Sequence, residues 1–244
     1  MGDRYHLWSS RGWRFRDKGV PRIARVAVEG LPHHVTQRGN YRQVVFEDDA
    51  DRARYLEYLC QYKWRYGLKV WAWCLMHNHV HLIVVPESAE SISKTLHMTH
   101  MRYANYANRK RGCQGHLWQG RFYSCVLEGE HIGMAVRYVE RNPVRARMAR
   151  NGEDYRWSSA RGHVTGKPDG VSDDLPKEDM LAGVRGGWSK WLAMPEQCEG
   201  LEMLRKSTRT GRPFGSVGFI ARVEAILGRR VRSLGLGRPK KAAE

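Results

Sequence analysis

The sequence predicts an α+β protein in which an antiparallel β-sheet carries helices packed on one of its faces, followed by a small helical and basic carboxy-terminal appendage. Two observations lead to this class. Short runs rich in β-branched and aromatic residues alternate with longer segments whose apolar residues recur at three- and four-residue spacing. The order of these segments is β-α-β-β-α-β-α, which is typical of a sheet with a layer of helices.

Local signals bound the predicted elements. Asp48 or Asp49 can cap a helix, and Gly67 can end it in the left-handed conformation. Pro143 restricts the residue before it and so ends a later helix near Asn142. In chain order we expect a strand over residues 31–38, a helix from Asp48 or Asp49 to Gly67, strands over 69–75 and 78–85, a helix capped by Ser91 and reaching 111, a strand over 121–127, and a helix that carries Tyr138.

Composition divides the whole chain into four segments. The amino-terminal part is rich in arginine with little apolar periodicity, and a later polar stretch with Gly and Pro is typical of a linker. Near the carboxy terminus, Phe219, Val223 and Ile226 share one predicted helical face. The predicted segments are a basic arm over 1–26, the main domain over 27–165, a linker over 166–185, and a basic carboxy-terminal region over 186–244.

The chain is strongly basic. It has 42 Lys and Arg against 25 Asp and Glu, a formal net charge of +17, which is the electrostatic pattern of a nucleic-acid-binding protein. An anionic membrane would suit the same charge, but we find no apolar run that approaches a membrane span and no apolar core of a signal peptide. The five cysteines are odd in number and lack Cys-x-x-Cys spacing, so they predict neither a zinc cluster nor a disulfide framework. A reducing cytoplasm fits best.

Two histidines on one predicted strand are the clearest candidates for a metal site. Because successive side chains of a strand point to opposite faces, His79 and His81 project from the same face. Imidazoles are common metal ligands, so the pair predicts half of a divalent-metal site. A polar strand face turned to solvent would give the same pattern. His77 has the same parity and is either a third ligand or, as we favour, a neighbour at the strand entrance.

Tyr138 and Asn142 are the second candidate pair. They stand four residues apart on the predicted helix and therefore on the same face, one turn apart. A tyrosine hydroxyl beside a metal centre suggests covalent catalysis on a phosphodiester. The alternative is a tyrosine half-buried against the sheet, with Asn142 as a helix stop. Glu140, the nearest carboxylate, is two residues from Tyr138 and is expected to point to a different side of the helix.

Together these residues resemble the single-tyrosine HUH transposases (transposase IS200-like), and within them the REP-associated tyrosine transposases of bacteria. The resemblance covers roughly residues 22 to 165, and its segments occur in the order and spacing of the family. At position 77 this chain has histidine where a proline or an acidic residue is expected before Asn78. The matching segments are LPHHVTQRGN (31–40), MHNHVHL (76–82), WQGRF (118–122), YVERNPV (138–144) and YRWSS (155–159).

The resemblance implies a fold, a site and a reaction. The fold is the HUH, ferredoxin-like palm, with residues 27–165 as the catalytic domain. His79 and His81 are implied as metal ligands, Asn142 as the position of a third, amide ligand, and Tyr138 as the nucleophile. The implied activity is cleavage and rejoining of single-stranded DNA next to REP-type hairpins through a 5′-phosphotyrosine intermediate. Imidazole alone favours Zn²⁺ or Mn²⁺, whereas the family suggests Mg²⁺ or Mn²⁺, so we expect Mg²⁺ or Mn²⁺.

Binding of single-stranded or hairpin DNA is assigned to basic residues, and longer relatives of the family imply a carboxy-terminal DNA-binding region. The tail over 237–241 resembles Gly-Arg-Pro arms that enter the minor groove, although such tails are also commonly solvated ends. A regulator that binds DNA with little or no catalysis is the alternative function. The oligomeric state is open between a monomer and a homodimer. We expect the protein to be cytoplasmic and associated with the nucleoid. The candidate DNA-binding residues are Arg38, Arg121, Arg212, Arg238, Lys240 and Lys241.

Overall fold

The predicted order of elements is confirmed by a computed structural model, which describes residues 23–175, 184, 187–196 and 198–233. The predicted boundaries agree with the observed ones within a few residues. Ser91 begins its helix, but the capping position is Glu90. The elements are β1 (His33–Arg38), α1 (Asp49–Arg65), β2 (Leu68–Met76), β3 (His79–Pro86), α2 (Ser91–Arg111), β4 (Tyr123–Val126), α3 (Ile132–Glu140), α4 (Asn142–Arg145), α5 (Ala160–Thr165), α6 (Trp188–Ala193), α7 (Cys198–Thr210) and α8 (Val217–Leu227).

The four strands form one antiparallel sheet in the order β2-β3-β1-β4. β2 and β3 are joined by a tight turn, and β1 lies between β3 and β4. In the register of β1 with β3, Thr36 faces His81 and Arg38 faces His79. Directly paired residues of an antiparallel ladder point to the same face, so the two histidines share their face with alternate residues of β1.

Helices cover both faces of the sheet, which differs from the predicted single layer. The α+β class and the antiparallel sheet are confirmed. On one face, Val35 and Leu82 pack in a cluster with residues of α1 and α2. On the other face, Cys74 and Ile83 pack with residues of α3 and α7. β2 and β3 are buried along most of their length, so each face has an apolar surface that a helix must cover.

α3 is built as its sequence predicts. The residues Ile132, Ala135, Val136 and Val139 are fully buried against the sheet. α3 ends at Glu140, and Pro143 lies in the first turn of α4, where its missing N–H needs no partner. The apolar stripe fixes the rotation of α3 and so directs the side of the helix that carries Tyr138 toward the sheet.

The carboxy-terminal region packs on the main domain. Leu201 and Leu204 of α7 belong to the same apolar cluster as α3. In α8, Phe219 and Val223 are buried, whereas Ile226, one turn further along the same helical face, is 64% exposed. α8 covers a separate cluster at the outer edge of the sheet, which does not extend to Ile226.

The predicted arm, linker and tail are only partly described. In the linker, Asp173 forms an ion pair with Lys63, N to O 2.9 Å, and Asp169 accepts a hydrogen bond from the Trp73 indole. The first part of this stretch is thus attached to α1 and β2. Residues 1–22 of the arm and residues 237–241 of the tail lie outside the described residues. Among the helices that the structure describes, we find none with the length and apolarity needed to cross a bilayer.

Candidate active site

His79 is presented by the first position of β3, with its orientation fixed by Asn78. The Asn78 amide nitrogen donates to the Arg42 carbonyl at 3.1 Å, so its side-chain oxygen is turned to the His79 Nδ1 at 2.7 Å. An amide oxygen can only accept, and His79 therefore carries its proton on Nδ1. The lone pair of Nε2 is then available to a metal ion. This is the donor arrangement expected of a metal-ligating histidine.

His81 lies two residues further along the same face, its ring centroid 5.0 Å from that of His79. Its Nδ1 is 2.9 Å from the Nε2 of His34 on β1, and the two rings are nearly parallel. The Nδ1 of His34 in turn lies 2.8 Å from the hydroxyl of Thr208 on α7. His34 lies in the motif LPHHVTQRGN (31–40), whose pattern alone does not indicate a role for it. The parity it shares with Arg38 on β1 was the available signal.

Tyr138 reaches this cluster from α3. Its ring stands perpendicular to those of His34 and His81, with both centroid distances 5.5 Å. The side chain is 7% exposed. Tyr138 is thus buried against the sheet, as the alternative interpretation also expects, and the rings that it contacts there are those of His34 and His81. The strand-borne imidazoles and the helix-borne phenol meet at one point.

Two arginines surround Tyr138. The Arg145 guanidinium lies over its ring, 4.2 Å from the centroid, and donates to the Tyr138 carbonyl. Arg145 is held from the other side by Glu196, N to O 2.7 Å. The Nε of Arg205 on α7 is 3.5 Å from the Tyr138 hydroxyl oxygen. Arg205 thus lies beside the Tyr138 hydroxyl and Arg145 over its ring, and sequence patterns identified neither residue.

Asn142 lies at the start of α4, one turn beyond Tyr138. Its side-chain nitrogen is 3.5 Å from the Tyr138 carbonyl, a long and weak hydrogen bond, and the residue is buried. This contact uses the nitrogen and not the oxygen, which is the atom that a metal ion would take. Asn142 thus contacts the backbone of Tyr138, and the two residues lie on consecutive helices, α3 and α4, not on the single helix that was predicted.

The histidines are held neutral. Burial lowers the pKa of His34 to about 3, with a further contribution from the positive charge of Arg145. Burial also lowers the pKa of His79 to about 3, assisted by Arg38 and Arg145. The pKa of His81 is well below its ordinary value, chiefly for the same reason. Neutral imidazole is the form that binds a metal ion.

His77 is directed away from this cluster. Its Nδ1 accepts a hydrogen bond from the Arg52 guanidinium of α1 at 2.9 Å, and α1 covers the opposite face of the sheet. Glu140 is also directed elsewhere. Its buried carboxylate accepts from Ser159, His163 and Trp188. The structure thus places His77 as a neighbour in the β2–β3 turn and Glu140 as a structural group.

A second group of potential ligand atoms is formed by Glu128, Glu130 and His131, before α3. Glu128 accepts hydrogen bonds from the backbone and hydroxyl of Ser216, the residue that caps α8. This bonding already accounts for the position of the Glu128 carboxylate, which attaches α8 to the chain before α3.

The predicted DNA-binding residues are spread over the molecule. Arg38 is half-buried on the strand next to His79. Arg212 donates to the Val231 carbonyl at 2.7 Å, which is a structural contact. Arg121 lines a groove of about 970 Å³ between α2 and the loop over 115–122, whose walls contain no Asp or Glu among the described residues. Arg238, Lys240 and Lys241 lie outside the described residues.

Residues 27–142 match the family model described as transposase IS200-like. This segment includes β1, β3 and α3, and so contains His79, His81 and Tyr138. The chain carries an IS200-like transposase domain. The resemblance found in the sequence is therefore confirmed. α7, with Arg205 and Thr208, lies beyond the segment that the family model matches.

Two solved structures are similar to parts of the chain, and the first shares its fold. A REP-associated tyrosine transposase bound to a REP hairpin is 17% identical, with a TM-score of 0.52 over 68% of this chain and 96% of that one. A putative transposase from Deinococcus radiodurans R1 is 18% identical, with a TM-score of 0.35 over 50% of this chain and 97% of that one. No curated protein sequence matches the chain significantly. The first structure supports the predicted α+β fold.

Proposed function

We propose that this transposase domain is a metal-dependent single-stranded DNA endonuclease and strand transferase. It cleaves and rejoins DNA next to REP-type hairpins through a 5′-phosphotyrosine intermediate. The observation that carries the proposal is the contact of Tyr138 with His81, ring centroids 5.5 Å apart, at a site where a second histidine also presents its Nε2. A nucleophile beside two potential metal ligands is what a phosphodiester transfer requires.

The residues present fit a divalent ion. Two neutral imidazoles with Nε2 available would hold it, and the amide oxygen of Asn142 would be the third ligand. When bound, Mg²⁺ or Mn²⁺ would polarise the scissile phosphate. Oxygen donors from an amide and from phosphate make the set harder than imidazole alone, which favours these ions over Zn²⁺.

The protein residues account for the covalent step. The Tyr138 hydroxyl oxygen attacks phosphorus, the bond from phosphorus to the 3′ oxygen breaks, and the proton lost by the phenol is balanced by the one gained by the 3′-hydroxyl. Arg205, 3.5 Å from that oxygen, and Arg145, over the ring, supply positive charge where negative charge develops. The reverse attack by a free 3′-hydroxyl rejoins DNA without ATP.

Electrostatics support a DNA substrate. The chain has a formal net charge of +17, and the groove lined by Arg121 also contains Lys94, histidines and amide side chains without a carboxylate. Cationic and amide groups bind phosphates and base edges, and the half-buried ring of Phe122 on the wall can contact an unpaired base. This groove is where we expect part of the single strand or hairpin to lie.

Tyr138→Phe tests the nucleophile. With a labelled, hairpin-bearing single strand and Mn²⁺, we expect wild type to form a covalent adduct on a denaturing gel, and the variant to form none while binding with an affinity within about twofold. Tyr123→Phe, on the same face of the sheet, is the matched control and should retain cleavage. An adduct in Tyr138→Phe would refute the assignment. Tight hairpin binding without cleavage by wild type would favour the alternative, a DNA-binding regulator.

A further inference from the structure

We infer that α7, a helix beyond the segment matched by the family model, holds a metal ligand in its ligating tautomer: Thr208 orients His34, and His34 orients His81. The inference rests on the proposed function in one respect, that His81 is a ligand. Thr208 is a positioning residue, because it acts on His81 only through His34. The carboxy-terminal region would then be part of the catalytic centre as well as a DNA-binding appendage.

The first step is the direction of the Thr208 hydrogen bonds. Its hydroxyl donates to the Leu204 carbonyl one turn earlier in α7, at 2.8 Å. A hydroxyl has a single proton and two lone pairs, so toward His34 it can only accept. His34 must therefore carry its proton on Nδ1, which lies 2.8 Å from the Thr208 oxygen.

The second step is that the tautomer of His34 determines the tautomer of His81. With its proton on Nδ1, His34 presents a lone pair at Nε2, and the His81 Nδ1 at 2.9 Å must donate to it. His81 is then left with a lone pair at Nε2. If the Thr208 proton were instead directed at His34, both imidazoles would reverse, and His81 would present an N–H where a metal ion needs a lone pair.

Because these groups are buried, the hydrogen bonds between them determine the tautomers of both histidines. Thr208 is 3% exposed, His34 1% and His81 5%, so bulk water has little access to the three groups. Each N–H or O–H of these groups must therefore find its hydrogen-bond acceptor on a neighbouring protein group. The thiol of Cys125, 3.2 Å from the Thr208 oxygen, can donate to the remaining lone pair without changing the direction of the chain.

α7 is firmly placed for this role. Leu201 and Leu204 are buried in the cluster that includes α3, and Arg205 on the same helix approaches the Tyr138 hydroxyl. His79 obtains the same tautomer from Asn78, which lies within the family-matched segment. His79 is thus oriented by a residue inside that segment, and His81 is oriented, through His34, by a residue outside it.

The test uses full-length protein and three substitutions in α7. Thr208→Val removes the hydroxyl at nearly constant shape, and Thr208→Ser restores it. Thr210→Val is the matched control, because Thr210 makes the same kind of bond to a helix carbonyl but bonds to no histidine among the residues that the structure describes. Imidazole tautomers are measured by ¹⁵N NMR without metal, and Mn²⁺ affinity by electron paramagnetic resonance.

In Thr208→Val we expect the His81 proton to move from Nδ1 to Nε2 and the Mn²⁺ affinity to fall roughly 10- to 100-fold. Thr208→Ser should restore both, and Thr210→Val should change neither. Thr208→Ala, which also lacks the hydroxyl, provides the same comparison if the valine variant folds poorly. An unchanged His81 tautomer in a folded variant without the hydroxyl, or no recovery in Thr208→Ser, would overturn the inference.

The tautomer measurement separates this inference from the proposed function. If wild type and His79→Ala bind Mn²⁺ equally, the proposed metal site is wrong. The ¹⁵N spectra of Thr208→Val then still decide whether Thr208 sets the His81 tautomer. If Mn²⁺ binding depends on His79 but not on the Thr208 hydroxyl, the metal site stands and the role of α7 is refuted.

Discussion

Glu140→Gln should destabilise the protein without removing a catalytic group. In the structure, one Glu140 carboxylate oxygen accepts from Ser159 at 2.6 Å and from His163 at 2.5 Å, and the other accepts from the Trp188 indole at 2.7 Å. Burial alone would lower the pKa of His163, but the hydrogen bond and charge of Glu140 outweigh it, and the pKa is raised. Glu140 thus joins α3 to α5 and α6.

The size of the destabilisation follows from the hydrogen bonds that a glutamine amide cannot accept. If the glutamine oxygen keeps Ser159 and His163, its NH₂ faces the indole N–H of Trp188, so one buried donor loses its acceptor at about 1–3 kcal/mol. The bond to His163 also loses its charge assistance, about 1 kcal/mol more. A total of roughly 3 kcal/mol corresponds to a Tm lower by roughly 6–12 °C for a chain of this size.

Thermal unfolding by circular dichroism measures this loss, and the covalent-adduct assay well below the Tm measures activity. Trp188→Phe removes the facing donor, so the double variant Glu140→Gln/Trp188→Phe should be destabilised by less than the sum of the two single variants. A Tm within about 1 °C of wild type would refute the hydrogen-bond reasoning. A normal Tm with cleavage abolished would show that Glu140 acts in the reaction.

Three further predictions concern the metal ligands, the carboxy-terminal tail and the stability of the protein at acidic pH. His79→Ala should abolish Mn²⁺ binding and Mn²⁺-dependent cleavage, whereas His77→Ala, which loses only its bond to α1, should retain both; equal losses would show that the ligands are misassigned. Deletion of residues 234–244 should weaken hairpin binding and make its salt dependence shallower while single-turnover cleavage at saturation survives, and identical salt slopes would exclude a binding role. Burial, with a contribution from His97, lowers the pKa of His100 to about 3, so the unfolded chain takes up this proton first as the pH falls below 6.5. His100 should therefore contribute roughly 3 kcal/mol to the decrease in the free energy of unfolding between pH 7 and pH 4.5, in addition to the contributions of the other buried histidines, and His100→Gln should lose less than wild type in urea titrations across this range.

The local sequence pattern was sufficient to predict the helices and strands, and to predict those parts of the site that lie on a single helix or strand. The alternation of β3 placed His79 and His81 on one face, and the apolar spacing of α3 placed Tyr138 on a helix, whereas Asn142 lies on the next helix, α4. Both follow from the fixed periods of strand and helix. The second layer of helices was not predicted, because period alone does not say which side of a fully buried strand a given helix will cover.

The groups that orient the site could not be found by pattern. His34 reaches His81 only because β1 pairs with β3, Arg145 reaches Tyr138 across the α3–α4 junction, and Thr208 reaches His34 over 174 positions of sequence. Each is a common residue type in an unremarkable local context. Nothing in the spacing of the chain indicates which distant hydroxyl or guanidinium completes a buried hydrogen bond.

The sequence by itself thus determined the class of fold, the order of its elements, and the family to which the transposase segment belongs, because these depend on short-range periodicity and on motifs within single elements. Only the tertiary structure decided which lone pairs the histidines present and which charges surround Tyr138. Those properties depend on hydrogen-bond direction and burial, which arise where β1, β3, α3 and α7 pack together and exclude water.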